Sequence, residues 1–569
     1  MTEPSTPHSE NTRTSIAARI GWVVLICATL YVCYFSHLGA IGFVGPDEPR
    51  YAWIARDMME TGDWVTPRLY GKPWFEKPPL FYWGAAICFK WFGVSETSAR
   101  LPSAISAFLA TLALAWLARR WYGAETARWL LLLLPTTVGM IGFSHAAATD
   151  MPFSAMLTIA MVWAAVILGL IRDENTPILP RTPWLALLLF GLFLGLAVLA
   201  KGPAAIILCG GAVFFWALFT KRWRDAFRLL HPVAIASFCA TALPWYILCA
   251  RRNPDFFRVF IIEHNFKRYL TPEFQHIQPF WFYGPVLLVA FLPWTALFVW
   301  STVVGAVQFR RTQRASESTW LLVCWAGFCL LFFSISQSKL PGYILPALPP
   351  IMLVAANALA GKAKTYLKSF RAAASVMALF FFLMLMLSAI GRSRYDLPGR
   401  PGGLGWLIPL FLGAANALLA LLYPANRASL MTRPSAGLCV LPTLVAVLLA
   451  NHLLPAFFKY DPSGRSLARQ LQTRNISRAD LAIGSMQRGQ HYSLNFYLHE
   501  EIKDWNQENS WKQYLLTTRV GSCRSLIPAP LACEPLPFNE DSTGAFLYRV
   551  VMRGSANGTA GGGQPQQKE

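Results

Sequence analysis

The sequence predicts an all-α polytopic membrane protein with about thirteen transmembrane helices and a small α/β domain at its C-terminal end. Three observations predict it. Only 14% of the 569 residues are charged while 55% are hydrophobic, and a soluble domain is about 25% charged. Thirteen windows are apolar over lengths near the roughly 20 residues that a helix needs to cross a bilayer. Past Phe458 the composition turns polar.

The windows lie near 20–41, 100–117, 129–146, 151–170, 183–200, 203–220, 231–250, 281–305, 319–336, 342–360, 374–391, 405–423 and 436–456. The first is too long for a signal-peptide core and reads as an uncleaved anchor. Two long loops break the series, 42–99 and 251–279. Within the first, 49–61 reads as a short amphipathic helix and 79–93 as an interfacial or re-entrant one, too short to span. In the polar region 457–553 a helix is expected over 463–474 and strands over 480–486, 512–518 and 545–552. The tail 554–569 is rich in Gly and Gln and is expected to be disordered.

Charge assigns sides. Counting thirteen spans from a cytoplasmic N-terminus puts 1–19, 117–128, 171–182, 221–229, 310–318, 362–371 and 424–433 inside. They hold 20 Lys/Arg against 7 Asp/Glu, most of the net +21. That is the bias of cytoplasmic loops, and it places the C-terminal domain on the outer side of the membrane. Basic residues divided among short loops do not make a nucleic-acid surface. A transporter is disfavoured as well, because no internal repeat is visible and the charges do not sit at mid-membrane. Nine cysteines fall in apolar stretches and none forms a CxxC pair, so a cysteine zinc site is excluded. Cys523 and Cys533, on the oxidising side, are either a disulfide or two free thiols.

Ionisable groups at span ends are expensive and mark function unless they snorkel or cap. This topology brings Asp47, Glu48, Glu76, Lys77, Asp150, Lys201, Glu263, His264, Lys267, Arg268 and Lys339 to one membrane surface. Taken singly, Lys201 and Lys339 also read as snorkelling anchors, Asp150 as a helix cap, and Arg100 as the anchor of a span. Glu76-Lys77 against Pro78-Pro79 fits a site better than a solvated loop, because the prolines fix both side chains' directions. Together the cations suit a phosphate, with arginine offering bidentate contacts. Asp47 and Asp150 suit a sugar's hydroxyls or amine, or a general base. Glu76 and His264 could contribute to a divalent-metal site, though two ligands are incomplete. The substrate class implied is an amphiphile with a phosphate at headgroup level.

The motifs carry a resemblance. Gly45-Pro46-Asp47-Glu48-Pro49-Arg50-Tyr51-Ala52, Thr61-Gly62-Asp63-Trp64, Phe75-Glu76-Lys77-Pro78-Pro79, Thr149-Asp150-Met151-Pro152, Ala200-Lys201-Gly202-Pro203, Glu263-His264 and Ser338-Lys339-Leu340-Pro341-Gly342-Tyr343 occur in that order. Over residues 15–455 the chain resembles the aminoarabinose transferases of lipid A. These lie among the bacterial polyprenyl-phosphate-sugar glycosyltransferases related to protein O-mannosyltransferases. The resemblance implies a GT-C fold in the bacterial inner membrane, an undecaprenyl-phosphate-linked sugar as donor, and lipid A or another periplasmic acceptor. It implies that Lys77, Arg268 and Tyr343 hold the carrier phosphate, with Lys201, Lys267 and Lys339 as further substrate contacts. Asp47 and Asp150, with Glu48, would be the catalytic carboxylates, and Glu76 and His264 would hold a metal, zinc by resemblance. Pro49 stands where the enterobacterial enzymes have Thr, so a different sugar, or a protein or glycan acceptor, stays open.

Overall fold

A computed structural model gives the architecture. It describes residues 16–171, 184–270, 277–312, 315–360, 371–372, 374–383, 407–422, 437–457, 461, 463–505, 512–518, 522–527, 531–537 and 544–552. The first fifteen residues, most of the expected inner segments 171–182, 362–371 and 424–433, and the tail from 554 lie outside the described residues.

Among the described residues, seven helices are long and apolar enough to cross a membrane, and two bent helix pairs add two more spans if each pair counts as one. Shorter apolar helices at Ala204–Thr220, Ala374–Leu383, Pro409–Leu419 and Leu438–Ala450 fall on the other predicted windows. In chain order the first elements are α1 (Ile16–Tyr34), α2 (Asp47–Thr61), β1 (Arg68–Leu69), β2 (Lys72–Pro73), α3 (Leu80–Phe92), α4 (Glu96–Tyr122), α5 (Ala124–Leu133), α6 (Val138–Ser144), α7 (Asp150–Ile167), α8 (Trp184–Lys201) and α9 (Ala204–Thr220). The window 129–146 is not one straight helix: α5 and α6 meet at 62°. Pro135 lies in the break, and Thr137 caps the restart by accepting from the Met140 amide. The window 281–305 bends by 119° between Phe280–Ala290 and Thr295–Thr312, where Pro293 removes a backbone donor.

The centre of the bundle is α7, packed between α4 and α8 and buried over almost its whole length. Outer helices such as α1 and α9 instead leave Val23, Val24, Tyr31, Ile206, Phe214 and Phe219 exposed. Such apolar faces are stable against lipid and unstable against water.

Above the bundle, the first long loop folds as α2, the β1–β2 hairpin and α3, with α3 packed on α2 and α4. Trp91 and Phe92 at the end of α3 are exposed, the aromatic placement favoured at a membrane–water boundary. The C-terminal domain is a four-stranded sheet in the order β3-β4-β6-β5, built from Leu481–Ile483, Tyr514–Thr517, Phe546–Met552 and Leu531–Pro535. The first pair is parallel and the other two antiparallel. A helix at Arg465–Thr473 agrees with the expected 463–474. Strand β5 and the helix Arg488–Leu498 were not anticipated, the first carrying Cys and Pro and the second Gly489 with a largely polar face. Cys523 and Cys533 are bonded, with Cα atoms 6.3 Å apart.

Candidate functional site

Helix α2 opens on Asp47 and Glu48, in the first turn where the helix dipole favours negative charge. Adjacent helical residues point about 100° apart, and these two carboxylates have different fates. Asp47 is half-exposed and pairs with Arg50 one turn along. Glu48 is buried. Its Oε1 accepts from Arg100 Nε at 2.9 Å and the Ala147 amide at 2.7 Å, and its Oε2 from an Arg100 Nη at 2.8 Å and the Val44 amide at 2.9 Å. Arg100 spends its remaining N–H groups on the carbonyls of Leu38, Ile41 and Gly42, which completes the five donors of a guanidinium. Arg100 therefore does more than anchor a span, and Glu48, expected among the catalytic carboxylates, is consumed in tying α2 to α4. An apolar cavity of about 500 Å³ borders this pair, lined also by Leu38, Val44, Ile141 and Ala446.

Arg50 is the hub that the motifs did not single out. Its Nε donates to the Pro46 carbonyl at 2.8 Å, one Nη reaches Asp47, and the other lies 3.0 Å from Glu76 Oε2. The rings of Trp74 and Tyr492 each sit 5.5 Å from its Cζ. Burial disfavours its charge, but Glu76 and Asp47 outweigh that and hold the guanidinium above its ordinary range. Lys77 Nζ is 3.9 Å from Glu76 Oε1, so Glu76 stands between two cations.

A second group forms where α7 begins and α8 ends. Lys201 Nζ donates to Asp150 Oδ1 at 2.6 Å and lies 4.4 Å from the centre of the Tyr343 ring. Tyr343 belongs to a tight 3₁₀ stretch, Pro341–Ala347. There Gly342 comes so near that an added Cβ would be 2.7 Å from Asp150 Oδ1. The two groups are linked by packing: Phe75, beside Glu76, shares an apolar cluster with Leu199 near the end of α8 and with Trp245, Phe256 and Phe260 of the second long loop and the helix before it.

The remaining expected residues are less gathered. Lys339 is buried and donates back to the Ser336 carbonyl at 2.5 Å, with burial lowering its pKa. Lys267 is exposed on the π-helical turn Arg258–Lys267, which also carries His264. The side chain of Arg268 lies outside the described residues. Among the described residues no three His, Cys, Asp or Glu side chains assemble a metal site. Glu76 and His264 supply two donors at most, and Glu76 is already paired with Arg50. That donor set does not by itself complete a structural or catalytic metal site.

The C-terminal domain closes over α2 and contributes to this site, which the sequence did not reveal. Besides Tyr492 over Arg50, Tyr497 Oη donates to Glu96 at 2.8 Å and accepts from the Phe43 amide. Arg465 pairs with Glu96 at 3.2 Å, and His499 with Glu60 at 3.0 Å.

Residues 20–260 match the family model of dolichyl-phosphate-mannose-protein mannosyltransferase. The undecaprenyl phosphate-α-4-amino-4-deoxy-L-arabinose arabinosyl transferase of Erwinia tasmaniensis is 33% identical over 314 residues, 55% of this chain and 54% of that one. Its counterpart in Aeromonas salmonicida is 33% identical over 347 residues, 61% of each chain. The chain thus spans somewhat over half the length of the curated relatives it matches. The crystal structure of ArnT from Cupriavidus metallidurans bound to undecaprenyl phosphate superposes with a TM-score of 0.74, over 94% of this chain and 98% of that one, at 23% identity. The chain is related in sequence to aminoarabinose transferases and has the GT-C fold of that structure.

Proposed function

We propose that the chain is a membrane glycosyltransferase that moves 4-amino-4-deoxy-L-arabinose from undecaprenyl phosphate to a phosphate of lipid A. The reaction would take place at the periplasmic face of the bacterial inner membrane, with the N-terminus cytoplasmic. The observation that carries this reading is the gathering of Asp47, Arg50, Glu76 and Lys77 in one group and of Asp150 and Lys201 in a second, the two linked by the apolar cluster that holds Phe75 and Leu199. Cations there suit a phosphate leaving group, and carboxylates suit the sugar's ammonium.

An acceptor phosphate is ionised at neutral pH, so its oxygen can attack the sugar's anomeric carbon without a strong base. The bond to the acceptor forms as the bond to the carrier phosphate breaks, which inverts that carbon. Charge developing on the departing phosphate is stabilised by cations, a role for Lys77 and, by the motif resemblance, for Arg268. Asp47, half-exposed and braced by Arg50, and Asp150, braced by Lys201, then orient acceptor and sugar. The cavity beside Glu48 and Arg100 supports an acceptor with acyl chains.

Lipid A from cells with and without the gene, compared by mass spectrometry, tests the reading. Loss of the aminoarabinose-bearing species with the gene supports it, and an unchanged profile overturns the sugar and acceptor. The match to the protein mannosyltransferase model favours one second reading, transfer to a hydroxyl of a protein or glycan. In that case Asp47 or Asp150 must serve as base.

A further inference from the structure

The motif Thr61-Gly62-Asp63-Trp64 stands outside the two charged groups, yet both long loops are tied to it. Gly62 ends α2 in the left-handed region, at φ 72°, with its amide on the Met58 carbonyl. Asp63 then folds the chain back: its Oδ1 accepts from the Val65 and Thr66 amides at 3.1 and 3.2 Å, an Asx turn. The same carboxylate reaches two arginines, Arg68 of β1 at 3.4 Å and Arg252, the last residue of the helix Pro232–Arg252, at 3.1 Å. Burial would raise this carboxyl, but the two amides and the arginines outweigh it and hold it below the usual aspartate value.

An asparagine would make the same turn, so the turn does not account for the charge. What the charge adds is a joint between the two long loops. On one side Arg68 starts the β1–β2 hairpin, the Trp74 amide bonds to the Pro67 carbonyl at 2.8 Å, and the chain runs on through Phe75 into Glu76 and Lys77. On the other side Arg252 is followed by Asn253, whose Nδ2 donates to Thr66 Oγ1 at 3.0 Å, and then by the π-helical turn that carries His264 and Lys267. The Trp245 indole donates to the Val65 carbonyl at 2.9 Å, and Trp245, Phe256 and Phe260 share one apolar cluster with Phe75. Asp63 therefore stands where the loop bearing Glu76 and Lys77 meets the loop bearing His264 and Lys267. We propose that Asp63 is a positioning residue for donor binding: through Arg68 and Arg252 it sets Lys77 against the second loop without itself meeting the substrate. This rests on the proposed function only in taking Lys77 as a group that holds a polyprenyl phosphate.

The test compares wild type, Asp63→Asn, Arg252→Gln and the double variant, each as the full-length protein in nanodiscs. Binding of undecaprenyl phosphate, melting temperature, and KM and kcat for transfer from the aminoarabinose donor are measured for all four. Asp63→Asn keeps an oxygen for the two amides and removes only the charge. The expected result is a Kd for undecaprenyl phosphate and a donor KM about three- to fivefold higher, the scale of a partly exposed ion pair, with kcat and melting little changed. Arg252→Gln should move in the same direction, and the double variant should be no worse than Asp63→Asn. A purely structural role would lower melting and leave Kd and KM at their wild-type values, and that result overturns the inference. Additive losses in the double variant overturn it too, as does a wild type that does not bind undecaprenyl phosphate. A wild type that binds but transfers no aminoarabinose, with Asp63→Asn binding more weakly, leaves the inference standing and removes the proposed sugar.

Discussion

Lys201 Nζ lies 2.6 Å from Asp150 Oδ1, joining the last residue of one buried helix to the first residue of another. Capping and snorkelling, the bland readings of the two residues, each treat one charge alone, whereas here each is the other's partner. Removing one partner of a pair this well shielded leaves the other uncompensated. Lys201→Met and Asp150→Asn should each reduce transfer at least tenfold, and the double variant should be little worse than either single one. Kinetics of all four proteins check this as a double-mutant cycle; additive losses would show that the two residues act separately.

Gly342 is required by close approach. An alanine there would set its Cβ 2.7 Å from both Asp150 Oδ1 and a ring carbon of Phe143, contacts that real Cβ atoms do not make. Overpacking of this kind costs about 1–3 kcal/mol and displaces the Asp150 carboxylate. Gly342→Ala should therefore lower kcat by an order of magnitude or more, with binding of undecaprenyl phosphate retained. Full activity would mean that the 3₁₀ stretch moves away during turnover.

How much of this was legible depended on the range of the interaction. The spans and α2 and α3 follow from local hydropathy, and the Pro-Pro after Glu76-Lys77 signalled a fixed loop. The bends at Pro135 and Pro293 were readable in principle but lay inside continuous apolar runs. Glu48 and Asp47 look alike in sequence, and only the fold of α4 separates them, by bringing Arg100 under one of them. Arg50 was visible inside a motif but not as a hub, because Glu76 and Tyr492 reach it from other elements. The helix carrying Tyr492 has a mixed polar surface that packs both on α2 and on the helix Arg465–Thr473.

The Glu48–Arg100 pair should govern stability rather than chemistry. Both side chains are buried, and every guanidinium N–H is used. Glu48→Ala strands a buried cation, a loss of about 3–5 kcal/mol, read as a lower melting temperature in detergent. Asp47→Asn, on the exposed side of the same turn, should leave melting unchanged while abolishing transfer. If Glu48→Ala melts like wild type and loses only activity, the structural assignment is wrong.

Acid should loosen the C-terminal domain through Asp461. Burial alone would raise this carboxyl, but hydrogen bonds from Ser463 and Ser466 outweigh burial and hold it below the usual aspartate value. A carboxyl depressed in the folded state contributes stability above its unfolded pKa, and that contribution fades as pH falls through the folded value. Asp461→Asn should thus lower melting at neutral pH and flatten the acid limb below about pH 4, the usual aspartate range. Melting curves of both proteins at several pH values decide it; parallel curves would remove Asp461 as a source of acid sensitivity.

Tyr492 should act on the site only through Arg50. Its ring faces the guanidinium at 5.5 Å, and Arg488, whose Nε donates to its hydroxyl at 3.2 Å, holds it from behind the same helix turn. A cation–π contact at a half-buried ring such as Tyr492 is worth about 0.5–2 kcal/mol, so its loss lets Arg50 tilt without unfolding α2. Tyr492→Leu should reduce kcat several-fold to about 30-fold, the kinetic equivalent of that contact, with little change in melting. Tyr492→Phe, which keeps the ring and loses the hydroxyl, should recover most of the rate. A merely structural role would make melting, not kcat, follow the series, and equal losses in Leu and Phe would assign the effect to the hydroxyl instead of the ring.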